Sequence, residues 1–150
     1  MAIPKIRYYC AYQERTHQEV KEKLYSFGLR KTDVEEILAG LIEGNYLNEE
    51  RFAVMFAGGK FRMKKWGRVK IKHALQQKLV STYNIKKALQ EISIEEYVKI
   101  ATTLARDKWK SIPGENIYTR QAKVRQYLLQ KGYENDIIQQ AIRSIDAREE

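Results

Sequence analysis

The stretch THQEVKEKLYSFGLRKTDVEEILAGLIE, residues 16–43, decides how this chain is read. Thr16 and Glu19 have the spacing of a capping box, in which the hydroxyl takes the third amide and the carboxylate returns to the cap. Val20, Leu24 and Phe27 then fall on one helical face, and Gly28 stands where a helix ends in the left-handed conformation. Thr32 and Glu35 form a second box. It opens a stripe of Val34, Ile37, Leu38, Leu41 and Ile42 that stops at Gly44-Asn45. Two short helices with a tight break between them are predicted.

The pattern recurs along the chain. Val20, Leu24, Val34, Ile37, Leu38 and Leu41 shift by 51 residues onto Ile71, Leu75, Ile85, Ala88, Leu89 and Ile92. A further shift of 53 reaches Val124, Leu128, Ile138, Ala141, Ile142 and Ile145. Phe27-Gly28-Leu29 and Lys131-Gly132-Tyr133 also coincide, which favours a true repeat over chance recurrence of apolar residues. Each unit reads as a lead-in helix, a middle helix and a short last helix, with a helix-turn-helix look. The expected organisation is all-α, with three tandem three-helix repeats over residues 6–46, 47–92 and 93–147 in an elongated array.

Other signals agree with helix throughout. Only Pro4 and Pro113 interrupt the 150 residues, and no run of alternating apolar and polar residues calls for a strand. Asn48 is the expected cap of a helix carrying Phe52, Phe56, Met63 and Trp66 on one side, weakened by roughly 1–2 kcal/mol at Gly58-Gly59. Ser93 with Glu96 makes a third capping box, before Tyr97, Ile100, Ala101 and Leu104. Residues 112–116 form a loop, and Asp146–Glu150 is expected to fray.

Charge singles out the centre. Between Arg51 and Gln90 lie eleven Lys and Arg residues and no acid, whereas the remaining 110 residues sum to −2 within a total of +9. A field confined to one part of a chain fits a polyanion or an acidic protein groove better than a generally solvated surface. Lys60, Arg62, Lys64, Lys65, Arg68, Lys70, Lys72 and Lys78 are the residues expected to bind a partner or nucleic acid. They are read as lying off the core stripes.

Several function classes find no support. There is no phosphate loop, dinucleotide fingerprint or zinc spacing, so neither a cofactor nor a metal is expected. His17 and His73 lack an accompanying ligand set. Cys10, the single cysteine, rules out an intrachain disulfide and reads as a small packed hydrophobe. Glu35-Glu36, Glu49-Glu50 and Glu95-Glu96 sit in first helical turns, where the helix dipole accounts for them. No catalytic constellation appears. With no signal segment or membrane span, a soluble cytoplasmic monomer without enzymatic activity is expected.

A resemblance sharpens this. Arg15-Thr16-His17-Gln18-Glu19-Val20-Lys21-Glu22-Lys23-Leu24, with Gly28, resembles the first repeat of the RecX family, bacterial regulators of the RecA recombinase. Tyr46-Leu47-Asn48-Glu49-Glu50-Arg51-Phe52-Ala53 resembles its second stretch, and Trp66-Gly67-Arg68-Val69-Lys70-Ile71 with Leu75 and Lys78 its third. Lys123-Val124, Leu128 and Lys131-Gly132-Tyr133 are similar to the last. Asn48 stands where the family has an acid, His73-Ala74 where a glutamate is common, and Leu79 where a glycine is usual. The resemblance implies three three-helix repeats, no catalysis, and binding in the groove of the RecA–single-stranded DNA filament. There the family limits filament growth and so modulates recombination and the SOS response. The rival reading is a stand-alone helix-turn-helix protein on DNA. Basic residues surrounding their helices suit contact with the phosphate backbone better than base reading.

Overall fold

The structure, a computed structural model, describes the backbone of residues 1–149 and the side chains of residues 1–145. The frayed end read over Asp146–Glu150 lies outside the described side chains. All regular structure among the described residues is helical: α1 Ala2–Tyr12, α2 His17–Ser26, α3 Lys31–Glu43, α4 Glu49–Lys64, α5 Arg68–Gln77, α6 Thr82–Gln90, α7 Ile94–Lys110, α8 Ile117–Lys131 and α9 Asn135–Glu149. None of these helices is long and apolar enough to cross a membrane.

The chain parts into two compact units, Met1–Phe56 with Leu75–Ala88, and Ala57–Ala74 with Leu89–Glu150. Both units take residues from α4, α5 and α6. In the first unit α1 packs on α2 and α2 on α3, around Ile6, Cys10, Val20, Leu24, Val34, Leu38, Leu41 and Leu47. In the second, α7, α8 and α9 pack on one another. Tyr97, Ala101, Ala105 and Trp109 recur every four residues and form the buried face of α7, facing a core that includes Val124, Leu128, Ile138 and Ile142.

Local chemistry sets several helix ends. The Thr16 hydroxyl accepts from the Glu19 amide at 3.0 Å, and the Glu19 carboxylate accepts from the Thr16 amide at 2.9 Å, which completes the first capping box. Asn48 accepts from the Arg51 amide and Asn116 from the Thr119 amide, each at 2.9 Å. Gly28 and Asn45 take the left-handed conformation expected at the ends of α2 and α3, with φ of 84° and 63°.

Two expectations are corrected. The box at Thr32–Glu35 does not form, because α3 starts two residues early. Arg30 is its N-cap, Thr32 is already inside the helix, and Glu35 is drawn towards Lys31 at 3.9 Å. The stripe on α4 is also different. Helix α4 ends at Lys64 and Lys65 turns left-handed at φ 60°, so Trp66 leaves the helical register. Phe61, four residues beyond buried Ala57, takes the inner position, and Met63 points outward at 82% exposure.

Candidate partner-binding site

The site begins where α4 stops. Lys65 turns the chain, its ammonium donating to the Arg62 carbonyl at 2.9 Å, and residues 64–69 are then held by the turn that follows α8. The Gly67 amide donates to the Lys131 carbonyl at 2.7 Å and the Val69 amide to the Gly132 carbonyl at 2.9 Å. Tyr133 donates its hydroxyl to the Lys65 carbonyl at 2.9 Å, and Lys131 its ammonium to the Lys64 carbonyl at 3.2 Å. The two backbones touch. A Cβ on Gly67 would stand 2.3 Å from the Gly132 carbonyl carbon and oxygen, so only glycine fits.

Beneath this joint lies an aromatic layer. The Tyr97 ring centroid is 5.0 Å from that of Tyr133 and 5.8 Å from that of Phe61. Tyr97 accepts from the Arg68 amide at 2.8 Å and donates to Glu134. The Arg68 guanidinium lies 4.3 Å from the Tyr97 centroid and forms a 2.7 Å ion pair with Glu134. Burial pushes both tyrosine hydroxyls well above their ordinary value, and Glu134 reinforces the shift.

The eight basic residues singled out from the sequence therefore divide. Trp66, half-buried, has the Lys60 ammonium 5.1 Å and the Lys70 ammonium 4.7 Å from its centroid, a cation on an aromatic face twice over. Arg62, Lys64 and Lys72 are exposed, and no ion pair joins them to a carboxylate among the described residues. Lys65 is half-buried, its charge turned onto a backbone carbonyl. Arg68 belongs to the aromatic layer, held by Glu134 and the Tyr97 ring, which corrects its reading as a charge lying off the core. Lys78 stands in the other compact unit, exposed, with its ammonium 5.7 Å from the Phe56 centroid.

Some contributors escaped the sequence reading. Lys131 adds a cation to the joint, and Glu134 supplies the acid that residues 51–90 lack. Both are more than 60 positions from their partners. Glu49, read as a helix-dipole acid, is buried at 6% exposure. It accepts from the Ser81 amide at 3.0 Å and from the Asn84 side chain at 3.1 Å, with His17 3.6 Å away. It ties the start of α4 to the start of α6. Among the described residues no three His, Cys, Asp or Glu side chains converge as metal ligands. What the site offers is a cationic surface round one indole, fit for contact with anions.

Comparison with known proteins agrees with this architecture. Residues 48–89 match the family model of the second three-helix domain of RecX, and residues 95–142 that of its third. Together they span more than half the chain. The regulatory proteins RecX of Bacillus cereus and Bacillus anthracis are each 28% identical to it over 131 residues, 87% of this chain and 48% of theirs. The chain thus spans about half the length of those relatives. The crystal structure of RecX from Lactobacillus salivarius superposes with a TM-score of 0.92 at 27% identity, covering 97% of this chain and 94% of that one. With helical three-helix repeats, the matched domains and this fold, the chain belongs to the RecX family.

Proposed function

We propose that this protein is a non-enzymatic regulator of the RecA recombinase. It binds as a monomer, in the cytoplasm, within the groove of the RecA–single-stranded DNA filament and limits filament growth, and so modulates recombination and the SOS response. The observation that carries this is the cluster of Lys60 and Lys70 on Trp66, with exposed Arg62, Lys64 and Lys72 around it and no carboxylate paired to those three among the described residues. Such a surface suits acidic protein or DNA phosphate, both of which a nucleoprotein filament presents. The three repeats at 6–46, 47–92 and 93–147 supply rigid helices on which to display it.

The test is RecA-catalysed ATP hydrolysis on single-stranded DNA, read alongside filament length. The parent protein is expected to slow hydrolysis and shorten filaments at concentrations near or below that of RecA. A variant carrying Arg62→Glu, Lys64→Glu and Lys72→Glu should need at least about tenfold more protein for the same effect, roughly 1.4 kcal/mol in binding. Its circular dichroism should match the parent. Unaltered filaments with the parent, together with tight sequence-selective duplex binding, would support the stand-alone DNA-binding reading instead.

A further inference from the structure

A second basic and aromatic surface lies in the first compact unit, built by residues of α1, α2 and the turn between them. Lys5, Tyr8, Tyr9 and Tyr12 fall at i, i+3, i+4 and i+7, one face of α1. Lys23 and Phe27, at the end of α2, close the other side of a cleft of about 360 Å³. Its floor is Tyr9 and Phe27, both half-buried against the apolar core. Three cations line it. The Arg15 guanidinium is 3.7 Å from the Tyr9 centroid, the Lys23 ammonium 5.4 Å from Tyr9 and 5.8 Å from Phe27, and the Lys5 ammonium 5.9 Å from Phe27.

The nearby carboxylates are engaged elsewhere. Glu14 pairs with Arg51, Glu19 caps α2, and Glu22 accepts from Gln18. No ion pair joins Lys5, Arg15 or Lys23 to a carboxylate among the described residues. Tyr8 and Tyr12, each 71% exposed, leave their rings 6.3 Å apart at the rim. Exposed rings beside cations that form no ion pair match a ligand that alternates flat apolar faces with negative charge. An acidic peptide lacks the faces, and a duplex hides them in its stack.

We propose that this cleft binds single-stranded nucleic acid, with bases stacked on Tyr8 and Tyr12 and phosphates held by Lys5, Arg15 and Lys23. Each stacked base contributes in a sequence-tolerant way, because every base offers a face. The site stands independently of the regulatory reading, since it requires no recombinase.

The test uses the full chain alone with a fluorescein-labelled oligothymidylate, its affinity followed by anisotropy over a range of salt concentrations. Tyr8→Ala with Tyr12→Ala should weaken binding about tenfold per ring, with an unchanged salt slope, while Tyr8→Phe with Tyr12→Phe binds like the parent. Lys5→Ala with Lys23→Ala should reduce the salt slope by about 1.4, the loss of two phosphate contacts on a single strand. A duplex of the same length should not distinguish the alanine variant from the parent. Equal oligothymidylate affinity for the alanine variant and the parent, or an equal loss on the duplex, would overturn the proposal. So would a loss confined to a poly-glutamate peptide, which would make the cleft a protein groove.

Discussion

Arg68 and Lys72 lie one helical turn apart on α5 and carry the same charge, yet their surroundings differ. Arg68 is held by Glu134 at 2.7 Å and lies on the Tyr97 ring, whereas Lys72 is exposed with no carboxylate partner among the described residues. Arg68→Glu would set two carboxylates against each other over a largely buried layer, and should lower stability by about 2 kcal/mol. Lys72→Glu should stay within about 0.5 kcal/mol of the parent. Urea denaturation of the two variants separates these outcomes, and it also shows which charges can be reversed without disturbing the fold. Leu79 makes a backbone point. Its φ is 62° and its side chain is 65% exposed, so a branched residue occupies a left-handed position that gains little from burial. Leu79→Gly is expected to raise stability by about 1 kcal/mol, seen as a higher Tm, because relief of the left-handed strain exceeds the extra freedom of glycine in the unfolded chain.

At the scale of elements, the contact between the turn after α4 and the turn after α8 depends on two glycines. Each meets the other's segment at distances no Cβ could occupy, 2.3 Å from Gly67 to the Gly132 carbonyl group and 2.4 Å from Gly132 to the Lys70 Cβ. Gly67→Ala should therefore cost about 3 kcal/mol or more, since the atoms a methyl group would meet are backbone that can yield only by opening the joint. Gly59, in the middle of α4, has open space where a methyl group would stand, with nothing within 4 Å. Gly59→Ala should stabilise by about 0.5–1 kcal/mol through helix propensity alone. Calorimetry on the pair gives shifts of opposite sign. Two destabilised variants would mean that α4 needs flexibility at Gly59.

For the molecule as a whole, the predicted response is to alkali. Tyr97 and Tyr133 are fully buried and their hydroxyls resist ionisation, because burial disfavours the phenolate and Glu134 lies beside them. Both pKa values are raised on folding above the ordinary 10.0. Their contribution is thus fully present below pH 10.0 and declines as pH rises above it, where the unfolded chain gives up protons that the native chain retains. Unfolding midpoints should fall from that pH upward, and tyrosine absorbance should show a late-titrating fraction that appears only with unfolding. A Tyr97→Phe, Tyr133→Phe variant should lose part of this pH dependence while losing neutral-pH stability through the unpaired Arg68 amide.

The amino-acid sequence by itself determined the helices, many of their caps and most of the core. Burial of Val20, Leu24, Ile71, Leu75, Val124 and Leu128 follows from a period of 3.6, which is a property of neighbours along the chain. The same locality explains why the Thr16–Glu19 box and the Asn48 cap were legible. It also explains the error at Met63 and Trp66, where a period was carried past a left-handed turn at Lys65 that no flanking glycine or proline announces at that residue. Tertiary structure alone decided which charges are free. Glu134 neutralises Arg68 from 66 positions away, and Lys60 and Lys70 converge on Trp66 from two helices. Electrostatic and steric fit depend on distances in space, and a linear count of charges has no access to them.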